Sequence, residues 1–155
     1  MRTTEQEINI RKLAAMIRGI GVAMLTTLGP DGILRSRPMV SQEADFDGTL
    51  WFFTKVSSGK TREIRQNPRV NASYVSTEEH HYVSLTGHAR VVQDREKMQE
   101  LWSPVYRAWF PQGLDDPELA LLRVDVEQAE YWDMLSSSMV NLHEPDRATA
   151  PREVV

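Results

Sequence analysis

The segment TKVSSGKT, residues 54–61, carries the residue types that bind a phosphate group. Three hydroxyl groups and one ammonium group fall within five positions, on Ser57, Ser58, Lys60 and Thr61. A helix that starts at this point would add free backbone N–H groups and a partial positive charge. This combination predicts a phosphate site. The alternative, which the segment alone fits equally well, is a polar turn followed by a capped helix.

The same segment ends like a nucleotide-binding P-loop, G-x-x-x-x-G-K-[ST], because Gly59, Lys60 and Thr61 follow one another. Thr54 occupies the position of the first glycine of that motif. A P-loop follows a buried strand and opens a long helix in a parallel α/β sheet. Here the predicted helix, KTREIRQNP, is barely two turns long and stops before Pro68. The context therefore argues against a nucleoside triphosphatase.

Around this segment the sequence predicts strands in closely spaced pairs. The runs VAMLTTL and ILRSRPMV flank a Pro-Asp-Gly turn, and RVNASYVS and YVSLTGHARVV flank TEEHH, so that both pairs are expected to form β-hairpins. TLWFFTKV is a further strand, and LALLRVDVEQAEYWDML is a last long strand, or two. Thr4 and Glu7 fit the capping box of an amphipathic first helix, which is expected to be closed by Gly19 and Gly21. Asp94 is expected to cap a short helix over REKMQELW.

These elements predict a mainly β protein with peripheral helices. About six strands follow one another without a regular alternation with helices, which disfavours a doubly wound parallel sheet and favours a small antiparallel barrel. Residues 1–142 are expected to form a single domain, because no linker or repeat divides them. Residues 143–155 are polar and are expected to form a flexible tail.

Composition excludes several classes of partner. The chain has 155 residues, a net charge of −4 and no cysteine. A mildly acidic protein is a poor general binder of nucleic acid or of an anionic membrane, so that an anionic ligand needs a local basic cluster. The first residues, MRTTEQEINIRK, are too polar for a secretory signal, and no apolar run approaches the roughly 20 residues that span a bilayer. We therefore expect a soluble cytoplasmic protein.

One histidine pair and one aspartate pair could be interpreted as a metal site or as catalytic groups. Adjacent residues on an extended chain point to opposite faces, so His80 and His81 are better explained by a hairpin turn than by a metal site. Asp115 and Asp116 precede Pro117, which predicts the start of a helix rather than a pair of catalytic carboxylates. No metal site is expected.

One connecting segment is unusually aromatic. Its four aromatic residues are Trp102, Tyr106, Trp109 and Phe110. They could pack in the core, or they could form a subunit interface or a wall over a ligand. Three serines, residues 136–138, follow Trp132 and could line a ligand, although such runs are commonly loops.

Several of these motifs together resemble one family. RSRPMVSQ, LWFFTKVSSGKTREIRQNPRVNASYV, YVSLTGHARVV and AEYWDML are similar to the flavin-binding split barrels related to pyridoxamine 5′-phosphate oxidase. The stretch from LWSPVYRAWF to AEYWD resembles the bacterial general stress protein branch. The resemblance covers roughly residues 8 to 140. It implies a six-stranded antiparallel split β-barrel that binds FMN, and a homodimer with its flavin sites at the subunit interface.

The resemblance also implies a set of cofactor-binding residues. They are Arg37, Pro38, Met39 and Val40 on one strand, Phe53 and Thr54 on the next, then Ser57, Ser58 and Lys60 in the phosphate segment, and Trp132 beside the flavin ring. Gly59 stands where the family has the arginine of its phosphate-binding pair, and Ser57 and Ser58 could compensate. Tyr82 stands where the oxidase has a glutamine. FMN suits these residue types, because cations bind its phosphate, hydroxyls its ribityl chain, and Met and Trp its ring.

The chain departs from the oxidase where that enzyme binds its phosphorylated substrate. Ser138, Val140 and Leu142 stand in place of the R-x-H-x-R pattern. The resemblance therefore implies an FMN-dependent oxidoreductase for another small molecule. A flavin carries the redox chemistry itself, so no catalytic side chain is assigned. The alternatives are a flavin-binding module without turnover, which sequesters or senses flavin, and a barrel that uses deazaflavin or haem.

Overall fold

The computed structural model describes residues 2–42, 46–133 and 137–142. Three α-helices are present: α1 (Thr4–Ile17), α2 (Gly59–Gln66) and α3 (Arg95–Leu101). Two 3₁₀ helices follow α3, at Pro104–Ala108 and Gly113–Asp115. The strands are β1 (Val22–Leu28), β2 (Leu34–Val40), β3 (Thr49–Lys55), β4 (Arg69–Ser76), β5 (His81–Val92), β6 (Leu119–Trp132) and β7 (Ser137–Asn141). No helix within the described ranges is long and apolar enough to cross a membrane.

All strands belong to one antiparallel sheet with the order β2-β1-β4-β5-β6-β3, and β7 pairs with β6. The sheet curls into a split barrel, and the prediction of a mainly β, antiparallel split-barrel fold is confirmed. All six predicted strands and both predicted hairpins are present. The structure adds β7, which the sequence did not predict because its first residues continue a serine run. The strands β2 and β3 stand at the two ends of the order, which leaves a cleft between them.

The capping box of α1 lies one residue earlier than predicted. Thr3, rather than Thr4, is the N-cap: its hydroxyl accepts from the Gln6 N–H at 3.1 Å, and Gln6 Oε1 accepts from the Thr3 N–H at 2.9 Å. Both pairs have the same spacing, but only Gln6 is buried, whereas Glu7 is exposed. The chain leaves the helix through Gly19, whose φ of 81° suits a residue without a Cβ atom.

The predicted helix start at Asp116 and Pro117 is wrong. The Asp116 carboxylate accepts from the Glu118 N–H at 3.0 Å and closes a turn, after which Leu119 opens β6. An aspartate before proline suits a turn as well as a helix cap, because its side chain bonds to the backbone two residues on. The run of buried residues that follows, from Leu119 to Leu122, settles the choice in favour of a strand in the core.

The interior has two apolar clusters. The larger one fills the barrel beneath α1 and includes Leu13, Leu25, Phe52, Tyr74 and Val124. The smaller one lies where α3 and the first 3₁₀ helix cover β3 and β6, and consists of Phe53, Met98, Tyr106, Phe110, Leu119 and Leu121. This second cluster supports the outer end of β3, where the phosphate segment begins.

A close backbone approach shapes the sheet at Gly87. A register shift interrupts the pairing of β5 with β6 between Thr86 and Gly87. A Cβ atom at position 87 would lie 2.1 Å from the carbonyl oxygen of Asp125. Only glycine fits this point, and the irregularity lets the two long strands bend around the core.

Candidate functional site

A cavity of about 390 Å³ opens between the outer ends of β2 and β3; we call it the β2–β3 cavity. Its lining residues are Val22, Pro38, Met39, Val40, Phe53, Thr54, Lys55, Ser58, Lys60, Tyr106, Trp109 and Phe110. Seven of the ten residues that the sequence singled out are in this set. They come from β2, β3 and the start of α2, which the topology brings together because β2 and β3 are the two unpaired ends of the sheet.

Arg37 and Ser57 lie next to the cavity but are not among its lining residues. The Arg37 guanidinium donates to the Leu25 carbonyl at 3.1 Å and lies 3.5 Å from the Glu63 carboxylate. The Ser57 hydroxyl donates to the Glu118 carboxylate at 2.6 Å. Both side chains therefore fix the surroundings of the cavity in this chain.

Trp132 lies far from the cavity of its own chain. A row of paired residues crosses the sheet from β2 to β6 and consists of Pro38, Met24, Ser73, Ser84 and Glu130. Four strand spacings separate its ends, which is about 19 Å along the sheet. Trp132 is two residues beyond Glu130 and therefore shares its face. The sequence grouped Trp132 with the other site residues, and within a single chain the structure does not bring them together.

The polar end of the cavity is built by the start of α2. The Ser58 hydroxyl is the N-cap and accepts from the Thr61 N–H at 3.3 Å. The Thr61 hydroxyl, which is completely buried, donates to the Lys55 carbonyl at 3.0 Å. The polar turn with a capped helix, one of the two alternatives for this segment, is thus present. It also leaves the backbone at Gly59 exposed, where a Cβ atom would meet only the distant Arg62 side chain.

Glu118 fixes the loop that leads into α2. Its carboxylate accepts from both the backbone N–H and the hydroxyl of Ser57, at 3.1 and 2.6 Å, and its carbonyl accepts from the Val56 N–H at 2.9 Å. The two bonds from Ser57 hold the pKa of the Glu118 carboxyl below its usual value, chiefly the one from the hydroxyl. The loop therefore enters α2 with a fixed backbone.

Lys60 gives the polar end an excess of positive charge. Its ammonium group is half-buried and donates to the Ser58 hydroxyl at 3.2 Å, and no ion pair within the described ranges includes it. Burial lowers the pKa of Lys60, and the nearby charges of Arg37 and Lys55 lower it further. A buried cation without a counter-ion is unfavourable, and an anionic ligand would relieve that cost. This end of the cavity is therefore suited to an anion.

The other end of the cavity is aromatic. The ring centroids of Phe53 and Tyr106 are 4.6 Å apart, and Phe110 is buried with them. Trp109 is 50% exposed at the rim. The aromatic segment that the sequence singled out thus serves two purposes, because Tyr106 and Phe110 pack in the second core cluster and also form the wall of the cavity.

Thr54 contributes an unused polar group. The residue is 3% exposed, and its Oγ1 atom has no hydrogen-bond partner among the described residues. Buried polar groups in proteins are almost always hydrogen-bonded, so an orphan in the wall of a cavity indicates a bond to a ligand. The lining of one cavity thus offers a cation, aromatic rings and an unpaired hydroxyl, which suit a ligand with a phosphate and a flat ring.

The family model described as pyridoxamine 5′-phosphate oxidase like matches residues 9–153. The chain belongs to this family. General stress protein 26 of Bacillus subtilis is 28% identical over 97 residues, which cover 61% of this chain and 69% of that protein. Protein bli-3 of Neurospora crassa is 28% identical over 137 residues, or 82% of this chain, and the chain spans only 65% of its length.

Solved structures agree with this membership. The general stress FMN/FAD binding protein of Xanthomonas citri is 28% identical to this chain, with a TM-score of 0.69 over 99% of both chains. A protein related to general stress protein 26, from Clostridium acetobutylicum, has a TM-score of 0.75 at 20% identity, covering 88% of this chain and 96% of its own. The second likeness supports the fold alone.

Sequence reasoning missed part of the lining. Val22 and Lys55 were not singled out, and the aromatic segment was not assigned to the cofactor site. Lys55 could have been found, because it directly follows Phe53 and Thr54 at the end of the same strand. Val22 on β1 lies at the cavity because it pairs with Val40 on β2, and β2 reaches the cavity only in the folded sheet.

The histidine pair lies where the sequence predicted. His80 is in the turn between β4 and β5, with a φ of 55°, and His81 begins β5, where its Nδ1 lies 3.2 Å from the Met16 carbonyl oxygen. Within the described ranges, no group of three histidine or acidic residues could hold a metal ion. The predicted tail, residues 143–155, and Ser136 lie outside the described residues.

Proposed function

We propose that the protein binds FMN in the β2–β3 cavity and uses it to oxidise or reduce a small organic molecule. The half-buried Lys60, which has no carboxylate partner among the described ion pairs, carries this proposal. It stands at one end of a cavity whose other end is aromatic. A stress-type role is supported by the relatives, since General stress protein 26 and the FMN/FAD binding protein of Xanthomonas citri are both similar to this chain.

The described residues fit FMN in three parts. Lys60, Ser58 and the exposed N–H groups at the start of α2 would bind the phosphate, with Arg37 behind them. Thr54 would offer its hydroxyl to the polar parts of the cofactor. Met39, Phe53 and the aromatic residues of the first 3₁₀ helix would pack against the ring. When bound, the flavin supplies two-electron transfer, and the residues of this chain bind it, orient it and exclude water from it.

A second candidate is a flavin-binding module without turnover. Among the described residues that line the β2–β3 cavity, the ionisable side chains are Lys55, Lys60 and Tyr106. The described lining thus includes no carboxylate or imidazole, the side chains that most often serve as general acid or base in catalysis. A module of this kind would bind flavin equally well. The cytoplasmic location that the sequence predicted is part of either proposal.

We infer that two copies of the chain pack through one face of the sheet. On β4 and β5 this face continues to Arg69 and His88. Over the rest of it, fifteen described side chains include one charged group, that of Glu130: Val22, Met24, Thr26, Ser36, Pro38, Val40, Asn71, Ser73, Val75, Tyr82, Ser84, Thr86, Gln128, Glu130 and Trp132. Four of its apolar residues, Val22, Met24, Val40 and Val75, are 37–54% exposed. A surface of this size with few charges and a partly apolar centre is typical of a protein interface.

The same face would complete the flavin site. It borders the β2–β3 cavity, because Val22, Pro38 and Val40 belong to both. It also carries Trp132 about four strands away from Pro38. A two-fold axis between these positions would bring Trp132 of the partner subunit to the cavity, so that a site dispersed in one chain is united in the dimer.

The absorbance spectrum of the purified protein, with and without added flavin, tests the cofactor and separates flavin from deazaflavin and haem. Calorimetric titration with FMN, riboflavin and FAD tests the phosphate site. FMN should bind at least tenfold more tightly than riboflavin, and FAD less well than FMN because its adenylate must leave past the polar end. Equal affinities for FMN and riboflavin would remove the basis of the phosphate assignment.

Lys60→Ala, with Arg62→Ala as its control, sharpens this titration. A charge-assisted contact is worth roughly 1.5–3 kcal/mol, so Lys60→Ala should weaken FMN about tenfold or more and leave riboflavin unchanged. Arg62 lies on the same helix, is exposed and does not line the cavity, so its removal should spare both ligands. Flavin-dependent oxidation of a reduced nicotinamide would then support the enzyme over the module. An unfolded Lys60→Ala variant would make the residue structural.

A further inference from the structure

A second cavity lies beside the proposed flavin site. It has a volume of about 320 Å³, and we call it the α3 cavity because α3 and the first 3₁₀ helix form its outer side. Its lining residues are Val40, Ser41, Gln42, Glu100, Leu101, Trp102, Ser103, Val105 and Tyr106. Val40 and Tyr106 line both cavities, so the two cavities share a wall.

Tyr106 forms the boundary between the two cavities. Its ring packs on Phe53 at 4.6 Å and on Trp102 at 5.8 Å between ring centroids. Its hydroxyl accepts from the Gln42 amide at 2.9 Å. The boundary is therefore held from both sides, and a molecule in the α3 cavity would lie against a fixed aromatic wall.

The chemistry of the α3 cavity differs from that of the β2–β3 cavity. Two lysines line the β2–β3 cavity, whereas the described residues lining the α3 cavity include no lysine, arginine or histidine. Among the described residues that line the α3 cavity, Glu100 is the one charged side chain; its carboxylate lies 3.3 Å from Lys97 Nζ and is 64% exposed. Ser41, Gln42 and Ser103 add neutral polar groups, and Trp102, Tyr106, Val40, Leu101 and Val105 add aromatic and aliphatic surface.

We propose that the α3 cavity binds the protein's small-molecule substrate and that this substrate is a planar aromatic compound with no negative charge. The inference rests on the proposed function, because it is the flavin that gives the adjacent cavity its role. The volume corresponds to that of about ten water molecules, which leaves room for two fused aromatic rings. An anion would lose its hydration without gaining a cation, and would also face Glu100. A neutral or positively charged ring avoids both costs.

Three probes that share a naphthalene ring test the charge preference on FMN-loaded protein: naphthalenemethanol, naphthalenemethylammonium and naphthalenesulfonate. Calorimetric titration should show that both the neutral and the cationic probe bind. At low salt the cationic probe should bind about two- to fivefold more tightly, because its attraction to the exposed Glu100 carboxylate is weak. The sulfonate should bind at least tenfold more weakly than the alcohol. A sulfonate that binds as well as the ammonium overturns the proposal.

Glu100→Gln isolates the source of the preference. It should remove the advantage of the cation and leave the neutral probe unchanged, while Glu96→Gln, an exposed position on the same helix that does not line the cavity, should change neither. Both helix positions are on the surface, so the fold should be retained in each variant.

Val105→Trp tests the place of binding. Val105 is 60% exposed and lines the α3 cavity but not the β2–β3 cavity. A larger side chain at this position should therefore lower the affinity for the probes at least tenfold and leave the affinity for FMN unchanged. Ala108→Trp, in the same 3₁₀ helix but outside both linings, is the control. Three outcomes would overturn the substrate proposal alone. The probes displace FMN, their affinity is unchanged in the Val105→Trp variant, or they do not bind a protein that does bind FMN. A protein that binds no flavin overturns the proposed function.

Discussion

Two buried threonines provide a matched test of the cofactor site. Thr27 on β1 and Thr54 on β3 are 1% and 3% exposed, and the Oγ1 atom of each has no hydrogen-bond partner among the described residues. Only Thr54 lines the β2–β3 cavity. The hydroxyl of Thr54 should therefore serve a ligand, whereas that of Thr27 should only cost stability.

Replacement of each threonine with valine keeps the shape of the side chain and removes the hydroxyl. A buried, unpaired hydroxyl costs about 1–3 kcal/mol, so both Thr54→Val and Thr27→Val should raise the free energy of unfolding of the apoprotein by about 1 kcal/mol or more. At this chain length that corresponds to about 2–4 °C in melting temperature per kcal/mol. Only Thr54→Val should weaken FMN, by the roughly 0.5–1.5 kcal/mol of one hydrogen bond, which is about two- to tenfold in affinity.

Chemical denaturation of the two apoproteins and FMN titration of each measure these opposite effects. Rotation about the Cα–Cβ bond exchanges the hydroxyl and a methyl group of threonine, so Thr54 can present its oxygen to a ligand without a change in backbone. If Thr54→Val lowers the stability of the apoprotein, its hydroxyl is not an orphan. If both variants weaken FMN equally, or neither does, Thr54 has no specific role in binding.

Three further predictions concern the fold, the dimer and the charge of the cavity. Gly87→Ala should lower the free energy of unfolding by about 1–3 kcal/mol or more in a denaturation experiment, whereas Gly21→Ala, whose Cβ atom would meet nothing within 4 Å, should have little effect. Ser73→Lys should place a charge in the proposed interface and weaken both the dimer and FMN binding, which size-exclusion chromatography across a dilution series with and without FMN would measure. Thr77→Lys, which lies in an exposed turn, should weaken neither. A monomer that binds FMN with undiminished affinity would refute the shared site. The pKa of Lys60 is lower in the folded apoprotein than the value of 10.5 expected for the unfolded chain. At pH values just below 10.5 the unfolded chain therefore binds more protons than the folded one, and the free energy of unfolding should rise with pH. Lys60→Met should abolish this rise, measured by denaturation at a series of pH values.

The strands could be predicted because local patterns determine them. Alternating and continuous apolar runs marked all six, and the turns at Pro-Asp-Gly and TEEHH marked both hairpins. The errors arose where one local pattern fits two outcomes. Thr3 and Thr4 both begin a capping box, and an aspartate before a proline can start a helix or close a turn. Burial decided each case, and burial depends on residues distant in sequence.

The site could be predicted only in part. Of the seven lining residues that were predicted, Ser58 and Lys60 were indicated by the residue types of the phosphate segment itself. The others came from the family resemblance, because they follow one another along β2 and β3. The bonds of Ser57 to Glu118 and of Arg37 to Leu25 could not be predicted, since they join residues 61 and 12 positions apart in sequence. The α3 cavity could not be predicted from the sequence either, because the sequence indicated an aromatic segment but not the space that this segment encloses.

The order of the strands has a consequence for the sequence of folding events. The hairpins β1–β2 and β4–β5 are local, but β3 pairs with β6 through contacts such as that of Thr49 with Asp125, 76 residues apart in sequence. Closing so long a loop costs more entropy than closing a hairpin, so we expect β3 to join the sheet late. The β2–β3 cavity needs β3 in place, and a ligand that recognises it would find no site in the transition state. FMN should therefore leave the rate of folding nearly unchanged and act almost entirely by slowing the rate of unfolding.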